Sequence, residues 1–212
     1  MYGILDVEKS HFEQEEHFLF FIAHPMKCGG TTFREELQKQ EGLRVVSLIG
    51  ESDHQTPYEV AKLRPKFWEK WKHLPIYCIT RHPYERFDSQ VSFVPVMITY
   101  GTEPERFFRK DPHQFSGLTL FCPQWKHMSW KGEKLRNLKQ FKLEDITNTV
   151  IDVEGFKVDM RNHYNVNEQS YKANGLKPSP TDTLSNLLFG ERKKEYIERF
   201  YSCDFENLGY SK

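Results

Sequence analysis

The chain has no long apolar run, no excess charge of either sign and no closely paired cysteines. Its longest apolar stretch, around Phe18 to Ala23, is far shorter than the roughly 20 residues that a membrane-spanning helix needs. The 30 basic and 30 acidic residues give a formal net charge of zero, so the overall charge predicts neither nucleic acid nor a membrane surface as a partner. We therefore expect any basic patch to be local to a site.

The sequence also lacks the usual signatures of a metal site. Cys28, Cys78, Cys122 and Cys203 are widely separated and show no C-x-x-C spacing, which indicates neither a metal box nor a disulfide framework. There is no H-E-x-x-H cluster among the nine histidines. No metal is therefore predicted.

Residues 1–212 are predicted to form one domain of the α/β class. The 38% hydrophobic and 15% aromatic residues are enough for one core, and no repeat or long linker divides the chain. Residues 1–16 are acidic and lack an apolar segment, which predicts a polar lead-in and no signal peptide. Strands are predicted at 18–23, 43–48 and 75–80, and helices at 31–41, within 57–73 and from Tyr84 onward. This alternation predicts a central parallel sheet flanked by helices, with ligand sites at the carboxyl ends of its strands.

The segment after the first predicted strand has the composition of an anion-binding loop. This first anion element, residues 27–32, consists of Lys27, Cys28, Gly29, Gly30, Thr31 and Thr32. Paired glycines let the backbone approach a ligand closely, and the amides at the start of the following helix attract an anion. The lysine adds a full charge. Cys28 is expected to be a passive filler in this loop, and a thiol whose pKa is lowered beside the anion site is the secondary hypothesis. A Walker A loop instead places its lysine after the last glycine, so the order argues against an ordinary ATPase or kinase.

A second anion element, residues 81–89, follows the strand predicted at 75–80. It reads RHPYERFDS. Arg81 at the strand end offers a planar fork of donors to phosphate oxygens, and Ser89 on the next helix adds a hydroxyl. Two elements of this kind, each directly after a strand, favour a ligand that carries two separate anionic groups.

Both elements resemble those of the sulfotransferases that use 3′-phosphoadenosine 5′-phosphosulfate (PAPS). The first is similar to that family's 5′-phosphosulfate loop, Pro-Lys-x-Gly-Gly-Thr-[ST], except that the proline, Pro25, comes one place early and Met26 precedes the lysine. The second resembles the 3′-phosphate segment, Arg-[DN]-Pro-x-x-Arg-[FL]-x-Ser, with His82 in place of Asp or Asn. The resemblance implies a P-loop-kinase-like sulfotransferase fold, with residues 27–32, Arg81 and Ser89 binding PAPS.

The resemblance extends over nearly the whole chain from Phe18 to Tyr210. Its further segments are FCPQW at 121–125, LKQFKLEDI at 138–146, NHYN at 162–165 and YIERFYSCDFENLGY at 196–210. The pattern is closest to carbohydrate sulfotransferases, including uronyl 2-O-sulfotransferases. It implies a hydroxyl acceptor, with a carbohydrate expected over a small hydroxyl compound. Aromatic and loop segments at 107–130 and 174–180 are the candidates for the acceptor side.

Sulfuryl transfer needs charge stabilisation on the departing phosphate oxygen and a base for the acceptor's proton. The ammonium of Lys27 suits the first task. For the second, the segment beginning at His54 resembles the region that bears the proposed catalytic histidine of uronyl 2-O-sulfotransferases, and a neutral imidazole accepts a proton near neutrality. The rival candidates are His24, Glu51, Asp53, His113, His127 and His163.

The sequence thus predicts an O-sulfotransferase that converts PAPS to 3′-phosphoadenosine 5′-phosphate and requires no metal. Two alternatives stay open, namely a P-loop nucleotide kinase or NTPase and a catalytically silent nucleotide-binding module. With neither a signal peptide nor a membrane anchor predicted, we expect a cytoplasmic protein, and a truncated form of a Golgi-type enzyme is the other option.

Overall fold

The computed structural model describes residues 1–13, 15–49, 54–99, 120–161, 171–173, 175, 185–186 and 189–212. It shows a mixed α/β fold in which helices flank a five-stranded sheet. The elements, in chain order, are β1 Tyr2–Asp6, α1 Val7–Glu13, β2 Phe18–Ala23, α2 Gly30–Gln38, β3 Leu43–Ser47, α3 Pro57–Leu63, α4 Pro65–Trp71, β4 Ile76–Thr80, α5 Pro83–Thr99, β5 Ser129–Trp130, β6 Glu133–Lys134, β7 Leu138–Lys142, α6 Leu143–Ile146, β8 Val150–Val153, β9 Phe156–Asp159, α7 Lys193–Phe200 and α8 Ser202–Leu208. Short 3₁₀ turns lie at Gln124–His127 and Gly190–Arg192.

The sheet is mixed rather than wholly parallel. Its strand order is β3-β1-β2-β4-β7, and β2, β4 and β7 run parallel to one another. Strand β1 lies between β2 and β3 and is antiparallel to both. The prediction of a parallel sheet therefore holds for three neighbouring strands and is wrong for the other side of the sheet.

Strand β1 also corrects the prediction of a polar lead-in at residues 1–16. Tyr2 and Ile4 contribute to the core on one face of the sheet, and Leu5 contributes to the core on the other. A short apolar run buried on both faces is enough for a strand. The acidic residues that suggested a lead-in begin only where this strand ends.

The core consists of two layers, one on each face of the sheet. Alternate residues of β2 enter opposite layers, as Phe20 and Ile22 do on one face and Phe21 and Ala23 on the other. Helices α2 and α6 and the β8–β9 hairpin cover the first face, whereas α3, α4, α5, α7 and α8 cover the second. Of the described helices, none is long and apolar enough to cross a membrane.

The fold brings the ends of three parallel strands together at one edge. Strands β2 and β4 pair in register from Phe21 opposite Ile76 to Ala23 opposite Cys78, and β4 pairs with β7 as far as Thr80 opposite Lys142. Each strand is followed by a helix, namely α2, α5 and α6. This edge is where a ligand site is expected in an α/β sheet.

Candidate functional site

The two anion elements lie side by side at this edge. The first element follows β2 and the second follows β4, and these strands are adjacent and parallel. Oε1 of Gln124 accepts the backbone N–H of Arg81 at 2.8 Å and the thiol of Cys28, the neighbour of Lys27, at 3.1 Å. The structure therefore brings the backbones of the two elements close together.

Lys27 has an unusual backbone and a sheltered side chain. Its φ of 65° lies in the left-handed region, which costs a non-glycine residue free energy and occurs in turns as well as at functional sites. The ammonium Nζ lies 4.3 Å from the centroid of the Phe93 ring. Burial, with a further contribution from Arg81, lowers the pKa of Lys27 to about 8. An anion bound beside this ammonium would stabilise its charged form and raise its pKa.

Cys28 is a buried packing residue rather than a reactive thiol. Burial raises its pKa to about 11, which agrees with the favoured interpretation of a passive filler and contradicts the secondary hypothesis of a lowered thiol pKa. The protonated sulfur donates a hydrogen bond to Oε1 of Gln124 at 3.1 Å. The positive charge nearby is outweighed because the side chain has no exposure to water.

The two glycines of the first element are required by close packing. Gly29 precedes α2 with a φ of 79°, and a Cβ placed there would lie 2.8 Å from Cδ1 of Leu143. A Cβ on Gly30 would lie only 2.0 Å from Cδ2 of His24. Both positions therefore exclude a larger side chain, whether or not a ligand is bound.

The first turn of α2 supplies amide donors. Helix α2 begins at Gly30, with Thr31 half-buried and Thr32 buried. The first amides of a helix have no intrahelical acceptor, and the helix dipole is positive at this end. Together with Lys27, this turn can bind an anionic group at the end of β2.

Arg86, in the second element, anchors the chain that leads into the first. It is 1% exposed, and its Nε donates to the carbonyl oxygen of Met26 at 2.9 Å while Nη2 donates to that of Cys122 at 2.8 Å. Its Nη1 is buried and has no hydrogen-bond partner among the described residues. This residue matches the second arginine of the 3′-phosphate segment, to which the resemblance assigns no role.

Ser89 faces the first element from α5. Residues three and four apart on a helix share a face, which groups Ser89 with Arg86 and Phe93. Arg86 bonds the carbonyl of Met26 and Phe93 contacts the ammonium of Lys27. Ser89 lies between these two contacts and is 7% exposed.

His54 is held in one tautomer by the chain next to the first element. Its Nδ1 lies 2.8 Å from the carbonyl oxygen of His24. A carbonyl oxygen only accepts hydrogen bonds, so Nδ1 carries the proton and Nε2 of the neutral ring is the basic nitrogen. A capping box between Thr56 and Glu59 starts α3 immediately afterwards and fixes the position of this segment.

Two rival histidines are poorly suited to accept a proton. His24 and His127 are 5% and 0% exposed, and burial, with the nearby His54 contributing in each case, holds their pKa values well below the usual range. The other rivals, Glu51, Asp53, His113 and His163, lie outside the described residues. So do the NHYN segment at 162–165, most of 174–180 and residues 107–119.

Two further buried residues support the site, and sequence reasoning gave neither of them a role. Asp204 is fully buried and accepts the backbone N–H groups of Gln124 and Trp125 at 3.0 and 2.8 Å, which caps the 3₁₀ turn. Gln124 in turn bonds residues of both anion elements. Gln124 lies in the FCPQW segment at 121–125 and Asp204 in the segment at 196–210, both of which belong to the resemblance. Nothing in the sequence indicates that these two residues are bonded to each other.

Outside comparisons add nothing to this picture. No protein-family model, curated protein or solved structure matches the chain. Within the described residues, no group of three histidine, cysteine, aspartate or glutamate side chains is placed to hold a metal ion.

Proposed function

We propose that the chain is a PAPS-dependent O-sulfotransferase. The observation that carries the proposal is that the elements bearing Lys27 and Arg81 follow two adjacent parallel strands and are both bonded by Gln124. Burial, with a further contribution from Arg81, lowers the pKa of the lysine. Two neighbouring cationic groups on separate elements suit a ligand with an anionic group at each end. PAPS is such a ligand, with a 5′-phosphosulfate and a 3′-phosphate.

In this proposal each of the two elements binds a different anionic group of the same nucleotide. The amides at the start of α2 and the ammonium of Lys27 bind the 5′-phosphosulfate. The guanidinium of Arg81 and the hydroxyl of Ser89 bind the 3′-phosphate. The sheet then corresponds to the P-loop-kinase-like fold of sulfotransferases, and the protein works in the cytoplasm.

PAPS supplies an activated sulfuryl group. The chain's own residues stabilise the charge on the departing phosphate oxygen and accept the proton of the acceptor hydroxyl. The bond between sulfur and the bridging phosphate oxygen breaks as a new bond forms between sulfur and the acceptor oxygen. Lys27 neutralises the negative charge that develops on the departing oxygen. The acceptor's hydroxyl proton passes to Nε2 of His54, the ring nitrogen that the carbonyl of His24 leaves basic. The products are 3′-phosphoadenosine 5′-phosphate and a sulfate ester, with a carbohydrate as the proposed acceptor.

The proposal is tested by nucleotide binding together with sulfate transfer. Thermal shifts of the full chain are measured with 3′-phosphoadenosine 5′-phosphate, PAPS and ATP–Mg²⁺, and labelled PAPS is offered with a panel of glycans and small hydroxyl compounds. Stabilisation by the first two nucleotides together with label transfer supports the proposal. Stabilisation without transfer to any acceptor indicates a silent binding module, and ATP turnover without a response to the 3′-phosphorylated nucleotides indicates a kinase or NTPase.

A further inference from the structure

Gln124 lies between the two anion elements and uses its whole amide group. Its Oε1 accepts the backbone N–H of Arg81 at 2.8 Å and the thiol of Cys28 at 3.1 Å. Its Nε2 donates to the backbone carbonyl of Arg81 at 2.9 Å and to Oδ2 of Asp204 at 3.4 Å. A side-chain amide has two acceptor and two donor positions, so all four are occupied.

The two bonds to Arg81 act as an extension of the sheet. Strand β4 ends at Thr80, and Gln124 then binds both backbone polar groups of the next residue, as a neighbouring strand would. This fixes the backbone from which the guanidinium of Arg81 projects. The bond to Cys28 ties the same amide to the first element, so one side chain sets the separation of the two elements.

The surroundings of Gln124 hold it in place. Its side chain is fully buried, and the carboxylate of Asp204 binds both its backbone N–H and its side-chain Nε2. Buried, fully satisfied networks of this kind have little freedom to rearrange. The amide is therefore a rigid reference for residues that lie far apart in the sequence.

We propose that Gln124 is a positioning residue that gives the site its selectivity for nucleotides carrying a 3′-phosphate. It acts through Arg81, whose backbone it fixes relative to the first element. The proposal rests on the proposed function, because Arg81 is there the ligand of the 3′-phosphate. It concerns the choice between nucleotides and not the transfer chemistry.

The measured quantity is the ratio of the dissociation constants of AMP and 3′-phosphoadenosine 5′-phosphate, which differ by the 3′-phosphate alone. We expect Gln124→Ala to lower this ratio about tenfold, in the range typical of coupling between contacting residues. Gln124→Glu has nearly the same size and keeps the acceptor oxygen, but its ionised carboxylate cannot donate to the carbonyl of Arg81. It should lower the ratio as well, which keeps the test valid if the alanine variant does not fold.

Gln90 provides the matched control. It is also a fully buried glutamine that bonds two partners in the same core, the carbonyl of Leu120 and the hydroxyl of Tyr201. We expect Gln90→Ala to lower the melting temperature and leave the nucleotide ratio unchanged. In an Arg81→Ala background, Gln124→Ala should have no further effect on the ratio, because its route to the 3′-phosphate is already lost.

The outcomes separate this proposal from the proposed function. A wild-type protein that prefers the 3′-phosphorylated nucleotide, with Gln124 variants that keep the full preference, overturns the role of Gln124 and leaves the sulfotransferase proposal standing. An equal loss of preference in Gln90→Ala also overturns it, because the effect would then follow from general destabilisation. A wild-type protein with no preference between the two nucleotides overturns the proposed function itself.

Discussion

The two anion elements follow neighbouring strands but are built in different ways. Between β2 and α2 the chain takes six residues, of which Lys27 and Gly29 lie in the left-handed region, and Gly29 and the first residue of α2, Gly30, pack against Leu143 and His24. Between β4 and α5 it takes only two, and distant side chains bind their backbone, Gln124 at Arg81 and Glu144 at His82. The first element depends on unusual backbone angles and close packing, whereas the second depends on hydrogen bonds from distant side chains to its backbone.

The elements also differ in what they contribute to the proposed reaction. Both residues assigned to the chemistry belong to the first side, Lys27 within the loop and His54 through its bond to the carbonyl of His24. The second side contributes Arg81 and Ser89, which are assigned to nucleotide recognition. Substitutions on the two sides should therefore have separable effects on turnover and on affinity.

The sharpest test of this division is His54→Ala. Loss of a general base lowers turnover by about 100- to 10,000-fold, while binding of 3′-phosphoadenosine 5′-phosphate should stay unchanged because the proposed role of His54 is toward the acceptor and not the nucleotide. The measurements are kcat for sulfate transfer and the nucleotide's dissociation constant by calorimetry. The exposed His73→Ala is the control, and a His54 variant with normal turnover would transfer the base role to another residue.

Lys27→Ala should lower kcat by about 100- to 1,000-fold, with a much smaller effect on nucleotide affinity, because its charge partner develops chiefly in the transition state. Lys131→Ala is a matched control, since Lys131 also has a positive φ, 51°, but lies in the exposed turn between β5 and β6. Single-turnover kinetics and calorimetry give the two quantities. A loss confined to affinity would assign both elements to recognition and remove the contrast between them.

Arg81→Ala should have the opposite profile. We expect affinity for 3′-phosphoadenosine 5′-phosphate to fall by roughly 10- to 100-fold, the value of a charged hydrogen bond, and affinity for AMP to change little. Calorimetric titrations of both nucleotides measure this, with the exposed Arg44→Ala on the edge strand β3 as control. Equal losses for both nucleotides would make Arg81 a structural residue.

Gly30→Ala tests how far the first element depends on its own packing. The added Cβ would overlap the buried ring of His24, and such overpacking costs about 1 to 3 kcal/mol in free energy of unfolding. Gly42→Ala is the control, because Gly42 has a φ of 78° but nothing within 4 Å of a new Cβ, which leaves only the backbone cost of about 1 kcal/mol. Denaturant unfolding measures the free energy of unfolding of both variants. Equal decreases in Gly30→Ala and Gly42→Ala would mean that the ring of His24 moves aside without cost.

The smallest expected effect is a pH dependence of nucleotide affinity that is confined to the first element. Below pH 8 Lys27, with a pKa of about 8, is already charged, so its titration leaves affinity constant. Above pH 8 an anionic ligand must bring a proton onto the lysine as it binds, and affinity should fall by no more than the small loss expected for Lys27→Ala, which removes the same charge. Calorimetry in buffers of different ionisation enthalpy measures this proton uptake. Lys27→Arg should abolish the dependence because a guanidinium stays charged, and a dependence that persists in this variant would place its origin elsewhere.

The sequence predicted those parts of the site whose shape is local. Strand β2 has the predicted bounds, and the helices after β2 and β4 begin within one residue of the predicted positions, since buried apolar runs followed by glycine or proline mark such transitions clearly. Strand β1 was not predicted, because its five residues stand directly before an acidic stretch and are too few to show a strand pattern of their own. Its antiparallel direction depends on pairing with two strands, which no local pattern reveals.

The supporting network was beyond the reach of the sequence for a different reason. Gln124 bonds Arg81 across 43 positions, and Asp204 bonds Gln124 across 80. Residue types show that an amide or a carboxylate is able to form such bonds, but only the folded chain selects the partners. The same limit applies to the secondary hypothesis of a lowered thiol pKa at Cys28, where complete burial outweighs the charges that the sequence places beside it.

The hydrogen bond from Arg86 to the residue before Lys27 affects which substitutions this loop can accept. The guanidinium bonds the main-chain carbonyl of Met26, a group that every residue type carries. A substitution at position 26 can therefore keep this bond, provided that the peptide keeps its direction. We therefore expect the side chain at this position to tolerate substitution and the direction of its carbonyl group to be fixed.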